Sequence, residues 1–110
     1  MDLIILTRNT FKDYSHRPLP LLAEFGAAWC GSCHRVSRLL NKVAEERADV
    51  IVGSCDVDDY PEFLTEYNFN VLPTLILFKD GKELGRMTDP AKKEDIIEFV
   101  DRLCDGKETK

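Results

Sequence analysis

Leu21-Leu22-Ala23-Glu24-Phe25-Gly26 is a mostly apolar run of strand length, and residues 33–47 that follow it change rhythm. In the first stretch apolar side chains fall on both faces, the pattern of a strand covered on two sides. In the second, Val36, Leu39, Leu40, Val43 and Ala44 recur at helical spacing, while Arg35, Arg38, Asn41, Lys42 and Glu45 take the other side. A buried strand running into an amphipathic helix is a unit of layered α/β architecture. The join between them is Trp29-Cys30-Gly31-Ser32-Cys33-His34.

The same alternation extends outward. Residues 3–6 read as a short apolar strand and residues 9–14 as a short helix. His16-Arg17-Pro18-Leu19-Pro20 is a loop, because two nearly adjacent prolines block both helix and ladder. Residues 50–57 form a third strand, and Pro61 suits the first turn of a short helix ending near residue 67. Residues 74–78 and 83–87 flank Lys79-Asp80-Gly81-Lys82, whose Asp-Gly core signals a hairpin. Ile96, Ile97, Val100 and Leu103 give a last amphipathic helix. The expectation is an α/β fold spanning residues 1–110 as a single domain: a central mixed sheet of about five strands flanked by about four helices.

Composition narrows the function classes. The 110 residues are 44% hydrophobic and 32% charged, which speaks against disorder. No apolar stretch approaches the ~18 residues a membrane span needs, so no membrane partner is expected. The net charge is −5 with both signs interspersed, so the clustered basic face of a nucleic-acid binder is missing. Residues 1–6 lack the basic segment and long apolar run of a signal peptide, which makes a cytoplasmic, reducing compartment the expectation. There, four cysteines are not expected to serve as structural staples.

The chemistry sits at Cys30 and Cys33. Helix positions three apart hold Cβ atoms ~5–6 Å apart, whereas a disulfide needs about 3.8 Å. Cys30 is therefore expected just outside regular helix, with Gly31 permitting the bend. The positive end of the helix dipole favours a Cys30 thiolate by roughly one pKa unit. That arrangement implies attack by Cys30 on a partner disulfide, followed by release through Cys33, the more buried thiol. Glu24, a carboxylate in an apolar strand, is the candidate base for Cys33. A structurally satisfied buried acid is the competing reading of Glu24.

Other readings were weighed beside this one. A closed zinc site needs four ligands; His34 adjoins the pair, but Cys55 and Cys104 are distant and read as core of a strand and a helix, so no metal is expected. His34 reads as a solvated first-turn residue whose partial charge could aid Cys30, and His16 as a loop residue. Asp56, Asp58 and Asp59 lack the spacing of a calcium loop, so helix capping and loop solvation account for them.

Across nearly its whole length the sequence resembles the thioredoxin family, in its bacterial form. The resemblance is carried by Trp29-Cys30-Gly31-Ser32-Cys33, Asp56-Val57-Asp58, and the run Val71-Leu72-Pro73-Thr74-Leu75-Ile76-Leu77-Phe78-Lys79-Asp80-Gly81. It implies a thioredoxin fold with a cis Pro73 beside the disulfide, presenting the Leu72 backbone to an extended substrate. It further implies a protein-disulfide reductase with no bound cofactor, acting on disulfide-containing proteins as a monomer. A flavoprotein reductase drawing on NADPH would recycle it. Trp29, Gly31, Ser32, Val71, Leu72, Pro73 and Asp89 would contact substrate.

Several positions depart from the family pattern. Ser32 stands where proline is common, Glu24 where the buried acid is normally aspartate, and Ser54 where a lysine often neighbours that acid. Gly26 replaces a tryptophan, and Val71 and Asp89 replace glycines on the substrate rim. The changed rim is what favours a rival reading, a partner-binding module whose thiols are incidental. A disulfide oxidase or isomerase is the alternative within the same chemistry.

Overall fold

The computed structural model describes residues 3–105. In chain order the elements are β1 (Ile4–Ile5), α1 (Arg8–Ser15), β2 (Leu21–Gly26), α2 (Gly31–Glu46), β3 (Ile51–Asp56), α3 (Glu62–Glu66), β4 (Thr74–Lys79), β5 (Lys82–Thr88) and α4 (Lys93–Asp105). The five strands form one sheet in the order β1-β3-β2-β4-β5. β3 runs parallel to both β1 and β2, while β4 is antiparallel to β2 and β5. The mixed five-stranded sheet with four helices is the architecture the alternation predicts.

β2 is the central strand, and all six of its residues are buried. Its alternation divides the interior. Leu21, Ala23 and Phe25 join a core with Phe11, Phe63 and Phe78, and Leu22 joins a second core with Val36, Leu40, Val43 and Phe99. Phe11 anchors the first core edge-on against Phe63 and Phe78, at centroid separations of 4.9 and 5.1 Å. Offset and edge-on ring pairs of this kind add ~0.5–1.5 kcal/mol beyond area burial. Glu24 shares its parity with Leu22, so the strand's pleat turns its carboxylate toward α2.

Local signals explain the element ends. The strand expected at 3–6 shortens to Ile4–Ile5 because Thr7 opens α1 with a capping box: Thr10 N–H donates to Thr7 Oγ1 (3.2 Å) and Thr7 N–H donates to Thr10 Oγ1 (2.8 Å). α2 begins at Gly31, two residues before the sequence expectation, because Cys30 itself serves as its N-cap. The hairpin between β4 and β5 turns on Asp80 (φ 54°) and Gly81 (φ 81°), as an Asp-Gly turn requires.

One expectation about loop residues gains a detail and one is corrected. His16 caps the C-terminal end of α1, with Nδ1 2.8 Å from Lys12 O, and packs on the hairpin; a Cβ at Gly81 would lie 2.8 Å from its Cδ2. The aspartates do not cap α3, whose N-cap is Pro61 without a side-chain bond. Instead Asp58 N–H donates to Asp56 Oδ1 (2.8 Å), which shapes the loop that follows β3.

Candidate active site

Cys30 ends the loop after β2 in an extended conformation (φ −94°, ψ 110°), and its Sγ accepts the Cys33 N–H at 3.2 Å. The sulfur thus sits where the first turn of α2 presents its unpaired donors, the electrostatic position that favours a thiolate. Cys30 and Cys33 are disulfide-bonded, with Cα atoms 5.3 Å apart. Ser32 Oγ lies 3.4 Å from Cys30 Sγ and adds a polar neighbour at the position that interrupts the family pattern.

The bend that brings the sulfurs together resides in Cys30's own dihedrals. Gly31 is the first residue of α2 without a positive φ, and a Cβ added there would meet nothing within 4 Å, so the bend does not depend on the glycine expected to permit it. The glycine with a steric role is Gly26: a Cβ there would lie 2.9 Å from Cys33 Sγ and 3.7 Å from Glu24 Oε2. Absence of a side chain at position 26 is what lets Cys33 pack against the end of β2.

The two sulfurs border different cavities. Cys30 lines a groove of about 790 Å³ with Trp29, Pro61, Leu64, Phe69 and Leu72. Trp29 is 71% exposed, and its indole N–H donates to Asp58 Oδ2 at 2.8 Å, which fixes a large apolar surface beside Cys30. Cys33 lines a cavity of about 280 Å³ with Glu24, Gly26, His34, Ser37 and Ser54. Cys55, Asp56 and Asp59 complete its inner and outer walls, and exposed His34 and Asp59 carry it to the surface.

Glu24 is 1% exposed, and burial pushes its carboxyl above the usual range. The Ser37 hydroxyl opposes this most, donating to Oε1 at 2.7 Å, followed by the charge of His34. Ser54 lies opposite Glu24 across the parallel β2–β3 ladder, and its side chain favours the charged carboxylate with the smallest influence. Oε2 is buried and has no hydrogen-bond partner among the described residues. Buried oxygens left this way are rare, and each signals an occupant or a function.

The remaining candidates are distributed around this centre. The Leu72–Pro73 bond is cis and Pro73 is buried, while Val71 is half exposed. Val71, Pro73 and Asp89 do not line the groove, in which Leu72 represents that loop. Asp89 adopts φ 42°, a backbone setting that favours glycine, and Arg35 holds its carboxylate at 2.5 Å. Cys55 is buried, its thiol pushed up to about 12 by burial first and by Asp56 and Asp59 after it. Cys104 is half-buried against the second core. Among the described residues no group of three or more His, Cys, Asp or Glu is placed to hold a metal, and no helix is long and apolar enough to cross a membrane.

Three contributors escaped the sequence reading: Ser37, Arg35 and the Asp58 carboxylate. For Ser37 the signal was present, since it lies four residues after Cys33 on the same helical face.

A disulfide-bonded cysteine pair at the start of α2, open to a groove on one side, is the kind of site that supports thiol–disulfide chemistry. The thioredoxin family model matches residues 2–102. The chain belongs to the thioredoxin family. It is 40% identical over 79 residues to a thioredoxin from Mycobacterium tuberculosis, covering 71% of this chain and 68% of that one. It is 35% identical over 82 residues to the thioredoxin of Chlamydia caviae, covering 74% and 80% respectively. With the chloroplastic thioredoxin M3 of rice it shares 35% over 91 residues, 82% of this chain, but it spans only about half (52%) of that protein's length. A solved mutant thioredoxin from Halobacterium salinarum superposes with a TM-score of 0.84 over 93% of this chain and 90% of that one; at 23% identity this speaks to fold.

Proposed function

We propose that the chain is a cytoplasmic, single-domain protein-disulfide reductase working as a monomer. The observation that carries this reading is the division of the Cys30–Cys33 bond between a partner-sized groove and a smaller cavity lined by Glu24. In the reduced protein, the Cys30 thiolate attacks one sulfur of a partner disulfide, and the other partner sulfur leaves as a thiolate. Cys33 then loses its proton to Glu24 across the gap beside Gly26 and attacks Cys30 Sγ in the mixed disulfide. The partner leaves with two thiols, having gained two electrons and two protons, and the Cys30–Cys33 disulfide is restored. No bound cofactor enters the cycle; a flavoprotein reductase drawing on NADPH returns the two electrons.

Trp29, Leu72 and the Gly31–Ser32 surface would hold the partner chain, with Val71, Pro73 and Asp89 shaping the rim. The test is the equilibrium of the pair across dithiol buffers, read by thiol trapping and mass spectrometry. A two-electron transition well below the glutathione poise supports reduction, each 30 mV being about 1.4 kcal/mol. A clearly more oxidising value points to an oxidase or isomerase. The half-exposed Val71 and the replaced glycine at Asp89 favour the partner-holding alternative, in which Cys30→Ser leaves partner capture and function intact.

A further inference from the structure

The carboxylate behind Cys33 has two oxygens in unlike settings. Oε1 accepts the Ser37 hydroxyl at 2.7 Å, while Oε2 is buried with no hydrogen-bond partner among the described residues. Oε2 is the carboxylate oxygen on the Gly26 side, 3.7 Å from where a Cβ at Gly26 would sit, and Cys33 Sγ lies 2.9 Å from the same point. Ser37 stands one turn after Cys33 on α2, so one helix face carries both the thiol and the donor. Ser54 stands where a lysine is common, and Ser37 makes the close 2.7 Å hydrogen bond to this carboxylate.

We propose that Ser37 is the positioning residue of this site, holding Oε1 so that Oε2 is the oxygen presented to Cys33. The proposal rests on the reading of Glu24 as proton acceptor and names the side chain that makes it one. A glutamate has one more rotatable bond than an aspartate, so an untethered carboxylate at position 24 would distribute its oxygens between the cavity and the thiol. The Ser37 bond removes that freedom and, because it is made to the charged form, also keeps the carboxylate able to ionise.

The groups facing Glu24 come from each neighbouring element. α2 supplies Cys33, His34 and Ser37; β3 and the loop after it supply Ser54, Cys55, Asp56 and Asp59; β1 and β4 supply Ile5 and Leu75, which carry no charge. Ser37 favours ionisation of Glu24 most, by direct contact, followed by the charge of His34 and then by Ser54.

A stopped-flow reaction of the reduced protein with a symmetric aromatic disulfide tests this. The first release of aromatic thiol reports attack by Cys30, and the second reports resolution by Cys33. Ser37→Ala should move the acid limb of the second phase upward by about one pH unit relative to the first. Ser37→Thr, which keeps a hydroxyl, should restore it. In a Glu24→Gln background Ser37→Ala should add nothing further, because the serine acts through the carboxylate. Alanine is a better helix former than serine, so the variant preserves α2, and the first phase monitors its integrity. If Glu24→Gln slows the second phase but Ser37→Ala leaves its pH profile unchanged, the role of Ser37 falls and the base stands. Equal slowing by Ser37→Ala with and without Glu24 also overturns the proposal, since the serine would then act through packing. A wild-type second phase in Glu24→Gln across about pH 6–8 removes the base, and the role of Ser37 with it.

Discussion

The two ends of one disulfide look onto opposite surroundings. Cys30 borders a groove of about 790 Å³ walled by Trp29, Leu64, Phe69 and Leu72, with a polar edge at Asp58 and Asn68. Cys33, three residues on, borders a cavity of about 280 Å³ whose walls include Glu24, Ser37, Ser54, Asp56 and Asp59. A partner polypeptide needs area and apolar contact, which the first side supplies. A proton needs an acceptor and a way to water, and Glu24 with the exposed His34 and Asp59 line the second side. The helix start makes the division possible: Cys30 caps α2 from outside while Cys33 lies within its first turn, so a short step of chain crosses from one environment to the other.

Breaking either end separately gives the largest effects. Cys30→Ser should abolish turnover, because the sulfur at the groove is the one a partner can reach. Cys33→Ser should also abolish turnover, yet leave the first attack intact and accumulate a covalent mixed disulfide at Cys30. Intact-mass analysis after mixing each reduced variant with a disulfide-containing protein separates them. Equal adduct formation by both variants would show that the two sulfurs are not divided as described.

Next in size is Glu24→Gln, which acts on the cavity side alone. General-base assistance is worth roughly 10²-fold or more, so resolution should slow by about that factor while the first attack keeps its rate. The same substitution has a stability signature of known sign. The folded-state pKa of Glu24 is raised, chiefly by burial, so its contribution to stability is fully present below the unfolded value near 4.3 and is lost as pH rises through the folded value. Glu24→Gln should therefore gain stability relative to the native chain as pH rises from about 4 toward neutrality, by about 1.4 kcal/mol for each unit of elevation. Urea midpoints across that range measure it, and a constant difference between the two proteins would refute a raised pKa.

The ease with which each side could be anticipated differs for a physical reason. The fold was legible because β2, α2 and the Asp80-Gly81 turn each carry a local pattern that agrees with the final architecture. Cys30 and Cys33 were legible because their spacing and their place at a strand–helix join state their chemistry. The supporting residues depend on what two distant segments bring together. Ser37 matters only because α2 lies over Glu24, and Asp58 only because the loop after β3 reaches Trp29. The glycines beside the cysteines make the point most sharply: backbone permissiveness suggested Gly31, but of the two the crowded position is Gly26, which only the packing of Cys33 reveals.

Gly26 lines the Cys33 side, and filling it gives a moderate effect. An alanine Cβ would lie 2.9 Å from Cys33 Sγ and 3.1 Å from Cys33 Cβ, closer than such contacts tolerate. Overpacking of this kind costs about 1–3 kcal/mol. In the oxidised protein Cys33 is tethered to Cys30 and cannot turn away; in the dithiol its side chain can. Gly26→Ala should therefore destabilise the oxidised form more than the reduced one and shift the pair to a more oxidising potential. A difference of about 1.4 kcal/mol between the forms would appear as 30 mV in dithiol buffers. Equal loss of stability in both forms, with an unchanged potential, would show that the sulfur has no need of the missing side chain.

The smallest expected effect lies on the rim, at Asp89. Its φ of 42° costs a non-glycine residue about 1 kcal/mol, and glycine would remove that cost. Glycine would also increase the freedom of the unfolded chain, a loss of about 0.5–1 kcal/mol. The Arg35 ion pair goes as well, but both partners are substantially exposed, and such pairs contribute only about 0–1 kcal/mol. These contributions nearly cancel, so Asp89→Gly should leave stability within about 1 kcal/mol of the native chain. Asp89→Ala keeps the unfavourable φ and loses the ion pair, so it should be the less stable of the two. Neither should alter resolution by Cys33, because Asp89 lines neither cavity, and any kinetic change should be confined to capture of a partner. Thermal midpoints order the variants; alanine above glycine would mean that position 89 carries no backbone strain.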